Sequence, residues 1–198
     1  MGKVCGILGG TFDPVHNAHL SLAECAYKEL DLEKVIFIPA YIPPHKQERN
    51  ITDEYHRIRM LELATDGHEE YEISDIEIQM KGASYTARTL TILKEKYDNM
   101  VFILGADSFL ALENWYHPEI IFQKAHIACA ARNDVELSEL ELKAHFYETK
   151  YNGVCHILHM PDTPISSTLV REQLSRDIKP DCIPDAVFDY IQNNGLYK

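Results

Sequence analysis

Residues 9–19 read Gly-Gly-Thr-Phe-Asp-Pro-Val-His-Asn-Ala-His, directly after the apolar run Val4–Leu8. His16 and His19 stand three residues apart. At helical spacing that puts both imidazoles on one face, at the start of a helix. The glycines end a strand and allow close backbone approach to a ligand. A neutral imidazole donates one hydrogen bond and takes up a proton near pH ~6.5. Two of them at a strand-to-helix turn are suited to stabilising charge on a phosphoryl group and its leaving group. A second use is open to the pair, as two ligands of a transition metal, with Asp13 the only third candidate nearby.

Other segments carry compatible residues. Ile165-Ser166-Ser167-Thr168 with Arg171 puts hydroxyls at a helix start and a guanidinium one turn on. That reads as an anion-receptive helix end, or as an ordinary serine cap beside a surface arginine. Ile42-Pro43-Pro44-His45-Lys46 is a proline-stiffened loop that presents Lys46, or a plain rigid connection. Gly105-Ala106-Asp107-Ser108 precedes the only tryptophan, Trp115, whose face could take a heteroaromatic ring. Ser84-Tyr85-Thr86 with Thr89 supplies hydroxyls for a substrate or a helix cap. His126, His145, His156 and His159 have no motif around them and read as structural or surface residues.

These residues need positioning elements. Strands are expected at Val4–Leu8, Val35–Pro39, Tyr71–Ile78, Val101–Leu104, His126–Ala131 and Val154–His159. Leu20, Ala23, Tyr27 and Leu30 mark a helical stripe. Thr52 reads as the N-cap of a helix carrying Ile58, Leu61 and Ala64. Further helices are expected over Thr86–Lys96 and Ser138–Lys150, with a last one opened by Pro184 and ending near Asn194-Gly195. Alternating strand and helix predict a parallel α/β sheet with right-handed crossovers. Ligands in such sheets bind beyond the carboxyl ends of the strands. The segments after strands one, two, four and six, Gly9–His19, Ala40–Lys46, Gly105–Trp115 and Met160–Arg171, each carry residues named above.

The 198 residues suggest one domain, residues 1–198, with the C-terminal helices (about 166–198) as a small subdomain. Net charge is −12, from 19 basic and 31 acidic residues. That argues against nucleic acid as a partner and leaves a nucleotide substrate open. No apolar run approaches the ~20 residues of a membrane helix, and Met1-Gly2-Lys3 leads straight into a strand, so a cytoplasmic protein is expected. The five cysteines form no zinc or redox motif, and Cys5, Cys129 and Cys155 read as small core residues.

Taken together and in order, these motifs make the chain resemble the bacterial nicotinate-mononucleotide adenylyltransferases, within the nucleotidylyltransferases marked by an H-x-G-H signature. The resemblance runs over essentially the whole chain. It implies a Rossmann-like doubly wound parallel sheet with flanking helices, the nucleotidylyltransferase fold. It implies adenylyl transfer from ATP to nicotinate mononucleotide, giving deamido-NAD and pyrophosphate in NAD biosynthesis, with magnesium carried on the ATP phosphates and no metal held by the protein. It assigns catalysis to His16, His19, Lys46 and Arg171. ATP would meet Gly9, Gly10, Thr11, Phe12, His16, His19, Gly105, Asp107, Ile165, Ser166, Ser167 and Arg171. The mononucleotide would meet Thr11, Phe12, Lys46, Ser84, Tyr85, Thr86, Asp107 and Trp115. Nicotinamide mononucleotide or phosphopantetheine as acceptor, and a nucleotide-binding regulator without turnover, are the alternatives. A homo-oligomer is left open.

Three positions depart from the family pattern. Ala18 stands at the signature's glycine, Arg132-Asn133-Asp134 at a common Arg-Pro-Gly, and Ala87-Arg88 at an apolar-acidic pair. If Ala18 is helical, its methyl costs nothing in backbone strain.

Overall fold

The computed structural model describes residues 4–42, 51–131, 136–160 and 165–198. Its strands are β1 (Val4–Gly10), β2 (Lys34–Pro39), β3 (Tyr71–Ile73), β4 (Asn99–Gly105), β5 (His126–Ala130) and β6 (Cys155–Leu158). They form one parallel sheet in the order β3-β2-β1-β4-β5-β6. The helices in the first half are α1 (Asn17–Glu29), α2 (Glu54–Thr65), α3 (Ile76–Met80) and α4 (Thr86–Leu93). Those in the second half are α5 (Ala106–Leu110), α6 (Pro118–Lys124), α7 (Leu137–Tyr151), α8 (Ser167–Ser175) and α9 (Asp185–Asn193). Among the described residues, no helix is long and apolar enough to cross a membrane.

The inner strands β2, β1, β4 and β5 read as largely apolar runs because helices cover both faces of the sheet. The pleat then divides each run. Val35 and Phe37, Val101 and Ile103 join one core with Leu22, Met60, Leu61, Val170 and Val187, on the side of α1, α2, α8 and α9. Ile36 and Ile38, Phe102 and Leu104 join the other with Leu90, Phe109, Ile121, Leu140 and Tyr147, on the side of α4 to α7. The sheet is therefore doubly wound. Strand order reverses direction between β1 and β4, which is where such sheets open a crevice. Helices α8 and α9 bury Val170, Leu174, Val187 and Ile191 in the same core as β1 and α1.

Two expectations are corrected. The strand expected over Tyr71–Ile78 stops at Ile73, and α3 occupies Ile76–Met80. The Ser74 amide donates to the Phe37 carbonyl at 2.9 Å. The next rung of that parallel ladder needs an N–H from residue 39, which is proline. The N-cap of α2 is Asp53, whose carboxylate accepts from the Tyr55 amide at 2.9 Å, and not Thr52. The Thr52 side chain hydrogen-bonds Tyr197, and its carbonyl accepts from the Arg57 side chain at 2.9 Å.

Candidate active site

A cavity of about 670 Å³ opens at the carboxyl ends of the strands, over the β1–β4 switch. That volume suits a nucleotide-sized ligand. Gly9, Gly10 and Thr11 line it from the end of β1, and His16, Ala18 and His19 from the start of α1. Gly105 and Asp107 come from the β4–α5 junction, Ser84, Tyr85 and Thr86 from the start of α4, and Trp115 from the turn after α5. Ala130 and Met160, at the ends of β5 and β6, complete the far wall.

Local packing explains the shape of the first wall. Phe12 sits at φ 49, in the left-handed region, and its ring is buried. That ring lies edge-on to His19, with centroids 5.0 Å apart, and against Phe37 at 5.8 Å. It also comes so close to Gly10 that a β-carbon there would sit 2.8 Å from it. Glycine at position 10 is thus a packing requirement, and Phe12 supports His19 from below while its ring stays outside the cavity lining. His16 is the N-cap of α1, and its backbone N–H donates to His19 Nδ1 at 3.3 Å. The two rings stack at 3.8 Å, so each limits the other's rotamers. Two early amides of α1 are spent inside the fold: Asn17 donates to the Cys182 carbonyl at 2.8 Å and His19 to His16 at 2.9 Å. The cavity residues that α1 contributes near its start are His16, Ala18 and His19. Ala18 is helical, 4% exposed, and absent from the residues with positive φ. Its alanine therefore carries no conformational penalty.

The second wall centres on a residue not singled out from sequence. Glu77 is buried, lines the cavity, and accepts from Thr89 Oγ1 at 2.7 Å and from the Ser84 side chain. Burial pushes its carboxyl above the usual carboxylate range, and the two hydroxyls oppose that shift. Ser84 Oγ also accepts from the Tyr41 amide at 2.9 Å, while the Ser84 amide donates to the Ile42 carbonyl at 2.9 Å. Ser84 and Thr89, expected as substrate hydroxyls or caps, thus tie α4 to α3 and to the end of β2. The Tyr85 and Tyr116 rings pack 4.4 Å apart beside Trp115, whose own ring meets Phe102 edge-on at 6.2 Å. Glu77 lies within a stretch whose isoleucines suggest a strand, which conceals it in the sequence. A charged residue between Ile76 and Ile78 was the available signal.

Other expected site residues stand outside this lining. Ser166 caps α8, its Oγ accepting from the Leu169 amide at 3.2 Å. Ser167 and Ile165 flank that cap. Arg171 donates from Nη1 to the Asp13 carbonyl at 2.6 Å and from Nη2 to Thr168 Oγ1 at 3.3 Å, which brings the start of α8 against the glycine loop. Lys46, His45 and Arg132 lie outside the described residues. Among the described residues, no group of three or more His, Cys, Asp or Glu could hold a metal ion. Burial pushes the Cys129 and Cys155 thiols up to about 12, so both stay protonated and unreactive.

Residues 7–173 match the cytidylyltransferase-like family. The chain is 38% identical over 200 residues to a Lachnoclostridium phytofermentans protein named probable nicotinate-nucleotide adenylyltransferase, covering all of both chains. It is 35% identical over 199 residues to the Bacillus subtilis nicotinate-nucleotide adenylyltransferase, covering 99% of each. The chain belongs to the nicotinate-nucleotide adenylyltransferase family. Family membership makes it a nucleotidyltransferase of NAD-related metabolism. The fold agrees: the Plasmodium falciparum nicotinic acid mononucleotide adenylyltransferase, solved in complex with NaAD, superposes with a TM-score of 0.82 at 18% identity, covering 99% of this chain and 98% of that one. The family's signature glycine is Ala18 here, and the helical backbone at that position accounts for why alanine is accepted.

Proposed function

We propose that this protein transfers the adenylyl group of ATP to nicotinate mononucleotide, releasing pyrophosphate and forming deamido-NAD. One observation carries the reading: a single cavity joins the Gly9–Thr11 turn and the stacked histidines to the wall of Ser84–Thr86 and Trp115. Two nucleotides held side by side there bring a nucleophilic phosphate next to an α-phosphorus. A phosphate oxygen of the mononucleotide attacks the α-phosphorus, and the bond to the bridging oxygen of pyrophosphate breaks. The protein supplies position and charge stabilisation, with no side-chain nucleophile.

In this reading the backbone of Gly9–Phe12 contacts both nucleotides, and His16 and His19 meet the ATP phosphates. The start of α8, with Ile165, Ser166 and Ser167, faces the outer phosphates with Arg171. A guanidinium has five N–H donors, so the Asp13 contact of Arg171 leaves others for phosphate. Gly105 and Asp107 border the nucleotide pocket. Tyr85, Thr86 and Trp115 border the nicotinate, and Lys46 neutralises phosphate charge. Magnesium would enter as part of the ATP substrate and would add charge neutralisation at its phosphates.

The test is pyrophosphate release from ATP and magnesium with nicotinate mononucleotide, nicotinamide mononucleotide or phosphopantetheine as acceptor. Release fastest with the acid supports the proposal. No release with any acceptor refutes enzymatic transfer, and equal rates with acid and amide refute the specificity. His19→Ala should cut kcat by about 10² or more, as loss of a charge-stabilising donor does.

A further inference from the structure

We propose that Tyr197, which follows α9, and Asp13 form a positioning pair that sets the glycine loop ahead of His16 and His19. This rests on the adenylyl-transfer reading for its kinetic consequence only. Asp13 is 5% exposed, buried next to the loop it belongs to. Tyr197 Oη donates to Asp13 Oδ1 at 2.6 Å across 184 positions of chain, and the Thr52 amide donates to Oδ2 at 3.4 Å. Arg57, 1% exposed, donates from Nη1 to the Thr11 carbonyl and from Nε to the Thr52 carbonyl, both at 2.9 Å. Arg171 takes the Asp13 carbonyl at 2.6 Å.

The contacts act on specific peptide planes. Arg57 orients the carbonyl of Thr11 and Arg171 that of Asp13, one on each side of Phe12 in its left-handed conformation. Without such anchoring, a β-carbon-bearing residue at φ 49 would relax. The Asp13 carboxylate is the centre of the group, because it lies beside the buried Arg57 charge and accepts the Tyr197 hydroxyl. Burial, with the Asp13 charge and hydrogen bond, pushes the Tyr197 phenol far above its ordinary range, so it stays protonated and donates. Tyr197 itself is left-handed at φ 63, following Gly195 at φ 61, so the chain turns back after α9 to deliver the hydroxyl. Three residues remote from the motif, at 57, 171 and 197, thereby hold the backbone that carries the histidines. None of the three is itself part of the cavity lining, so the effect of Arg57 and Tyr197 on transfer runs through the loop.

The test uses the full chain and Tyr197→Phe, which keeps the ring and removes the donor. Amide exchange of residues 10–18 should accelerate at least about tenfold, with exchange in β4 and α7 unchanged. In transfer assays kcat should fall about tenfold with both KM values within about twofold, the pattern of misplaced catalytic groups. Asp13→Asn keeps an oxygen acceptor for Tyr197 and should retain more kcat than Asp13→Ala. Combining Tyr197→Phe with Asp13→Ala should cost no more than Asp13→Ala alone, since one pair is lost either way. Unchanged loop exchange in Tyr197→Phe overturns the proposal. So does a uniform acceleration over β4 and α7, or strict additivity in the double variant. If the wild-type chain transfers no adenylyl group, the functional reading falls, and the exchange experiment still decides the positioning role.

Discussion

Replacing Ala18 by glycine restores the family's signature residue and should nevertheless destabilise the protein. Ala18 is the second residue of α1, helical and 4% exposed. Glycine in a helix costs about 0.5–1 kcal/mol relative to alanine through lost backbone entropy. Removing one buried methyl costs about 0.8 kcal/mol more in transfer free energy. No strain is released in return, because the position has no positive φ. The sum is about 1.5 kcal/mol. For a chain of this length each kcal/mol shifts Tm by about 2–4 °C, so Tm should drop by about 3–6 °C. Differential scanning calorimetry of wild type and Ala18→Gly, without ligand, measures this directly. An equal or higher Tm in the variant would falsify the claim that alanine sits here without strain.

Three further perturbations follow from the same geometry. Gly10→Ala places a β-carbon 2.8–3.2 Å from three atoms of the buried Phe12 ring, and should cost about 1–3 kcal/mol in urea unfolding; a wild-type midpoint would show that the ring yields freely. Glu77→Gln tests the raised carboxyl. The folded chain holds that proton more tightly than the unfolded chain, so stability is lost as pH rises above the ordinary glutamate pKa of ~4.3 towards and through the folded value. The stability difference between variant and wild type should therefore move in favour of Gln between pH 4.5 and 7.5, in unfolding midpoints compared at about those two pH values; a constant difference would count against a desolvated carboxyl. Tyr147→Phe removes a fully buried hydroxyl that donates to the Phe109 carbonyl at 2.8 Å, and should lose about 1 kcal/mol. A thermal melt indistinguishable from wild type would show that bond to be neutral.

The elements were legible where local pattern and tertiary environment agreed. Five of the six strands announce themselves as apolar runs, because a sheet covered on both faces needs side chains that can be buried on either. The sixth, β3, is shorter than its pattern suggests: isoleucines recur at 76 and 78 beyond Ile73, whereas its length is limited by a proline on the neighbouring strand. Asp53 and Thr52 are both good caps by type. Asp53 caps while the Thr52 side chain hydrogen-bonds Tyr197, a long-range contact that no window of sequence displays.

The chain's own order of residues determined the chemistry on offer: a glycine turn, a histidine pair on one helical start, and an aromatic and hydroxyl wall further along. Those features depend on neighbours within a few positions, so type and spacing carry them. The tertiary structure decided which groups are already engaged. The Asn17 amide serves the Cys182 carbonyl, the Ser84 hydroxyl serves Tyr41 and Glu77, and one arm of Arg171 serves Asp13. Buried polar groups must find partners, and those partners come from residues far along the chain that only folding brings within reach. The same rule sets Tyr197, at the far end of the sequence, against the loop near its beginning.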